Sequence, residues 1–154
     1  AKQPYAKEKI MSQQNERVST MLEGLRNWQA IERKAMDQTA EIMEQTDNPF
    51  IRLIMEVIRH DSLMHHRVQQ VLVDSLTKQS PALTHEDIAA VWSSIEAHDA
   101  TEHEVIGIAK MLRKQAWTPI QRQLLDYLIT DEEKHDRLLE ELGELKKELS
   151  RQTN

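Results

Sequence analysis

The feature that most constrains this chain is an internal repeat. Shifting the sequence against itself by seventy positions sets Pro49 on Pro119, and around that anchor Leu22 falls on Trp92, Leu25 on Ile95, Ile54 on Leu124, Ile58 on Leu128 and Leu72 on Leu142. The chain of 154 residues therefore carries one plan twice. Each copy holds two apolar stripes at three- and four-residue steps, the period of a helix face. The first pair reads Val18, Leu22, Leu25, Trp28, Ala35, Met36, Ile42 and then Phe50, Ile54, Val57, Ile58, Val68, Leu72, Leu76. The second pair reads Ile88, Val91, Trp92, Ile95, Val105, Ile106, Ala109, Leu112 and then Ile120, Leu124, Leu128, Leu138, Leu142, Leu145, Leu149.

Turn signals separate the stripes. Asn48 is a helix cap, and Pro49 takes the first helical position, where a missing N–H costs nothing. Thr118-Pro119 repeats that signal, and Thr84-His85-Glu86-Asp87 resembles a capping box with Asp in place of Glu. The longest break runs from Thr77 to Thr84 through Ser80-Pro81. Three Gly, four Pro and abundant Leu, Ile, Met, Ala, Glu, Lys, Gln and Arg favour helix throughout. At this length one core is expected rather than two. The expectation is a single all-α domain over residues 1–154, an antiparallel four-helix bundle of two hairpins, about 5–76 and about 85–149, joined by a longer crossover. Proline-marked turns and tryptophans on the apolar faces argue against an extended coiled coil. The polar tail from Ser150 to Asn154 reads as frayed, and Trp117 as cover for a bundle end. The first 14 residues have no counterpart in the second hairpin, so they extend helix one or pack on a second copy. A homodimer is the expectation resting on that overhang.

The repeat also pairs Glu32 with Glu102, Asp61 with Asp131 and His65 with His135. These residues interrupt the apolar stripes at helical steps: Glu32 follows Leu25 by one heptad, and Asp61 and His65 lie between Ile58 and Val68. Four helices thus turn charge inward. A buried carboxylate or imidazole without a partner costs several kcal/mol, so these groups share hydrogen bonds, protons or a cation.

Several functions are disfavoured. The net charge of -6 is spread along the chain with no basic stripe, so nucleic acid is not an expected partner. Without cysteine there is no disulfide, thiolate chemistry or iron–sulfur site, and any metal must use Asp, Glu and His. No apolar run approaches the roughly 20 residues of a membrane span, and the start lacks the apolar stretch of a signal peptide, so a cytoplasmic protein without a membrane partner is expected.

One inward Glu on helices one and three, with a Glu-x-x-His on helices two and four, is the arrangement of ferritin-like di-iron carboxylate bundles. This sequence resembles that family, nearest to its rubrerythrin-like members. Glu32 and Glu102 look like the lone carboxylates, and Asp131-Glu132-Glu133-Lys134-His135 looks like the fuller Asp-Glu-x-x-His form. By that resemblance Glu132 and His135 are ligands, and Asp131 orients an imidazole. Helix two departs from the pattern: Asp61-Ser62-Leu63-Met64-His65 has Ser62 where the bridging Glu belongs. Either Asp61 supplies the missing carboxylate, or His98 or Asp99 replaces it, or the site holds one metal or none.

The resemblance implies a metal site of Glu32, Asp61, His65, Glu102, Asp131, Glu132 and His135. It implies one or two iron ions, with manganese or zinc suited to the same oxygen and imidazole donors. It also implies oxidase, peroxidase or iron-handling activity served by a separate electron donor. The competing reading is a non-catalytic helical bundle with a degenerate site, acting as an interaction or scaffold module. Trp28, Trp92 and the methionines read as core filling. His60, His66, His85 and His103 read as surface histidines.

Overall fold

The computed structural model describes residues 3–78 and 82–152. Among them the chain forms four helices and no strand: α1 Gln3–Glu44, α2 Pro49–Thr77, α3 His85–Gln115 and α4 Pro119–Gln152. The chain divides into two compact units, Ala1–Pro81 and Ala82–Asn154, each a pair of packed helices. The expected break at Ser80-Pro81 lies outside the described residues, as do Thr153 and Asn154. The tail expected to fray is helical as far as Gln152, and the Ser150 hydroxyl donates to the Lys146 carbonyl at 2.9 Å.

The turns follow their cap chemistry. Asn48 Oδ1 accepts from the amides of Phe50 (3.0 Å) and Ile51 (3.1 Å), and Pro49 opens α2. The Arg52 guanidinium reaches back to the Met43 carbonyl at 2.7 Å, satisfying a carbonyl that the end of α1 leaves free. Thr118 Oγ1 accepts from Gln121 N, and Gln121 Oε1 accepts from Trp117 N and Thr118 N. At the start of α3, Thr84 Oγ1 accepts from Asp87 N (3.1 Å) while Asp87 Oδ2 accepts from Thr84 N (3.0 Å). Those bonds hold the Asp87 carboxyl below the ordinary aspartate range. A lowered folded-state value gives stability that is present above the unfolded-state value and lost as pH falls through the folded one. Replacing Asp87 by Ala is therefore expected to destabilise the chain at neutral pH, and the difference from wild type should shrink in urea titrations taken below about pH 4.

Within the first hairpin the helices run back along each other. Met43 meets Arg52 beside the turn, Glu32 meets His65 farther along, and Gln29 meets Gln70 beyond that. Leu25, Gln29, Glu32 and Thr39 of α1, and Ser62, Gln69 and Val73 of α2, are each more than nine-tenths buried. In the second hairpin Ile88, Glu102 and Ala109 of α3 are buried to that degree, whereas no residue of α4 is.

The apolar stripes are only partly used by this packing. Ile58, Val68 and Leu72 on α2, and Leu128, Leu138 and Leu145 on α4, remain about half exposed within their own hairpins. The reason is geometric. An apolar stripe about 100° wide is broader than the seam one neighbouring helix can cover. Trp28, expected as core filling, is 53% exposed, and Trp117 is 78% exposed. Trp92 does pack: Lys146 Nζ lies 5.0 Å over its ring, and a Cβ on Gly143 would come within 3.2 Å of the ring edge. In the repeat register Trp92 and Gly143 stand where the first hairpin has Leu22 and Val73, an exchange of bulk between two helices.

Gly107 differs from Gly143, because nothing lies within 4 Å of the Cβ it lacks. Gly107→Ala is expected to stabilise the chain by about 0.5–1 kcal/mol, read as a higher urea midpoint at unchanged slope. Among the described residues no helix is long and apolar enough to cross a membrane.

Candidate metal centre

The three repeated polar pairs do not become equivalent sites. In the first hairpin Glu32 is a buried hydrogen-bond acceptor. Its Oε1 receives the Trp28 indole N–H at 3.0 Å and the Gln69 amide at 3.5 Å, and His65 Nδ1 lies 3.2 Å away. Trp28 reaches it because residues four apart share a helix face. Ser62, at the place of the expected bridging carboxylate, is buried in the seam, while Asp61 is exposed and has no polar contact with Glu32 or His65. Beside this cluster Gln29 donates to Gln70 Oε1 at 3.0 Å, and Arg33 Nη1 lies 3.0 Å from His66 Nε2. His66 is half-buried at the edge of the seam, near the surface as expected.

In the second hairpin the same register gathers acceptors and imidazoles. One ligand atom each from Glu102, Glu132 and His135 lies within 4.8 Å of the others. Glu102 Oε1 is 2.8 Å from His98 Nε2 and 3.6 Å from His135 Nδ1, and His135 Nδ1 is 3.4 Å from Glu132 Oε2. Asp131 stands behind the imidazole, its Oδ2 3.5 Å from His135 Nε2, and its Oδ1 accepts from Lys134 Nζ at 2.7 Å. Glu102 is 94% buried, yet its Oε2 has no hydrogen-bond partner.

No protein family, curated protein or solved structure matches this chain. What the cluster can do rests on its own chemistry.

Two carboxylates that face one another are acceptors without a donor, and only a proton or a cation can bridge them. Glu102 is held below the usual glutamate value, chiefly by its hydrogen bond with Glu132, with His135 and His98 reinforcing the shift against the opposing effect of burial. That same bond pushes Glu132 above the usual value, helped by burial and by the Glu102 charge. The buried, unpartnered Glu102 Oε2 and the nearby imidazole nitrogens fit a small divalent ion of intermediate hardness.

A second cluster lies on the same hairpin. Asp99, His103 and Asp136 also bring ligand atoms within 4.8 Å of one another. His103 Nδ1 sits 2.9 Å from the Asp99 carbonyl, and its Nε2 is 3.2 Å from Asp136 Oδ1. His103 is exposed, as expected of a surface histidine, and His98 had been one option for the missing ligand. The signal for both was their four-residue spacing, His98 to Glu102 and Asp99 to His103.

Proposed function

We propose that this chain is a ferritin-like metal-binding protein whose two hairpins close into an antiparallel four-helix bundle around a divalent metal, iron foremost. The observation that carries the metal reading is the convergence of Glu102, Glu132 and His135 on a buried carboxylate oxygen that has no protein donor. What supports closure is the state of each hairpin by itself. Leu128, Leu138 and Leu145 share a face of α4 with Asp131 and His135, at three- and four-residue steps, and all three leucines are about half exposed. An apolar face of that length marks an interface, and the repeat gives each hairpin a like face for the other to cover.

When bound, iron would supply one-electron redox chemistry at Glu102, Glu132 and His135. The chain's own part is to hold and orient. Asp131 fixes the His135 ring through Nε2, leaving Nδ1 toward the two glutamates. Glu102 and Glu132 would hold the ion through their carboxylate oxygens. With no cysteine, electrons come from a separate donor.

Elemental analysis of protein expressed with iron and manganese tests the reading. At least about half an equivalent of metal per chain is expected after desalting, and less than about a tenth would remove it. The competing scaffold reading draws support from Ser62, a buried hydroxyl where a bridging glutamate is expected. It requires that Glu102→Gln with His135→Gln leave stability unchanged or improved whether metal is present or absent. The N-terminal part of α1, which has no repeat partner, supports a homodimer. A monomeric mass by light scattering at high concentration would exclude that dimer.

A further inference from the structure

Resting on the metal-binding reading above, we infer that the chain holds a single divalent ion, bound entirely by the second hairpin through Glu102, Glu132, His135 and His98, and that the first hairpin is not a ligand half-site. A two-metal centre of the ferritin-like kind needs each hairpin to contribute equivalent ligands. Residue by residue in the repeat register, the first hairpin does not.

The comparison runs through five positions. Trp28 stands where the second hairpin has His98, and both touch the lone glutamate one turn on: Trp28 Nε1 donates to Glu32 Oε1 at 3.0 Å, whereas His98 Nε2 lies 2.8 Å from Glu102 Oε1. An indole N–H is a donor without a lone pair and cannot ligate; an imidazole can. Ser62 stands for Glu132, which removes the carboxylate that faces Glu102 in the other copy. Gln69 stands for Leu139, and its amide donates to Glu32 Oε1 at 3.5 Å. Arg33 stands for His103, replacing an imidazole by a guanidinium that only donates. Gln29 stands for Asp99, replacing a carboxylate by an amide.

Four of the exchanges replace a possible ligand by a group that only hydrogen-bonds, and Gln69 adds a donor where the second hairpin has an apolar side chain. Glu32 Oε1 already lies within 3.5 Å of three nitrogens, so a cation there would have to displace the Trp28 indole N–H and the buried Gln69 amide. Glu102 Oε2 has no donor to displace. Two carboxylates neutralise one divalent charge, and two imidazoles bring the donor count to the four that zinc or cobalt(II) takes.

The test is titration of the full-length apo-protein with cobalt(II), following ligand-field absorbance and counting bound ions by equilibrium dialysis. One ion per chain is expected. Glu102→Gln and His135→Gln should each weaken binding by about 100-fold and His98→Gln by at least about tenfold. Glu32→Gln, His65→Gln and His103→Gln should leave the dissociation constant within about twofold, with circular dichroism confirming that every variant keeps its helices. Two ions per chain, or equal weakening by Glu32→Gln and Glu102→Gln, overturn the single-ion assignment while leaving the metal-binding reading intact. Loss of binding through His103→Gln rather than His135→Gln moves the ion to the Asp99 cluster and likewise overturns it. No bound cobalt at all removes both.

Discussion

Metal-free protein given manganese(II) at about a hundred times its dissociation constant is expected to melt about 5–10 °C higher than without it. The size follows from mass action: an ion that binds only the folded chain at that excess adds about 2.7 kcal/mol. For a chain of this length each kcal/mol moves the midpoint by about 2–4 °C. Glu102→Gln should abolish the rise, because the amide cannot supply the charge that the buried Oε2 offers to a cation. The variant itself, without metal, should be as stable as the parent or slightly more so, since it removes one of two facing carboxylates. Differential scanning fluorimetry of both proteins with and without manganese(II) checks all four values. A rise that persists undiminished in Glu102→Gln would exclude this residue as the anchor of the site.

The second large effect concerns the faces that each hairpin leaves open. Leu138 is 56% exposed within its hairpin, and a substitution at such a surface position ordinarily changes stability by no more than about 0.5 kcal/mol. Under the proposed closure the same leucine lies in an apolar interior, and Leu138→Glu buries an unpaired carboxylate. The expected loss is then about 2–4 kcal/mol in urea unfolding. A cost within about 0.5 kcal/mol would show that the face stays in water and would sink the four-helix closure. If the cost is large but the midpoint climbs with protein concentration, a second copy covers the face instead.

How much of this was legible in the sequence differs by level. The caps were fully legible, because Asn48-Pro49, Thr84 to Asp87 and Thr118-Pro119 act through bonds only two or three residues long, and the structure forms each of them. The four helices and their pairing followed from the same signals together with stripe periodicity. Which residues fill a hairpin seam was not legible. Periodicity shows that α2 has a wide apolar face but not which edge of it meets α1, so Ser62 and Gln69 lie buried while Ile58, Val68 and Leu72 stay half exposed. Of the residues singled out, Glu102, Glu132 and His135 come together with Asp131 beside His135, while Glu32 and His65 meet each other in the first hairpin. Asp61 stays exposed and meets neither Glu32 nor His65, since its charge keeps it in water rather than beside a second carboxylate. The role of Trp28 went unread because an aromatic side chain on an apolar stripe looks like packing whatever its nitrogen touches.

The four-residue turn that joins α1 to α2 has a consequence for how the protein comes into being. The described long-range side-chain bonds within each hairpin link residues no more than 41 positions apart, a local pattern of the kind that lets helical proteins fold in microseconds to milliseconds. Each hairpin can therefore form as soon as its own stretch of chain is free. The residues that gather at Glu102 all belong to the later-synthesised half. The first hairpin can thus form before the residues around Glu102 have been made.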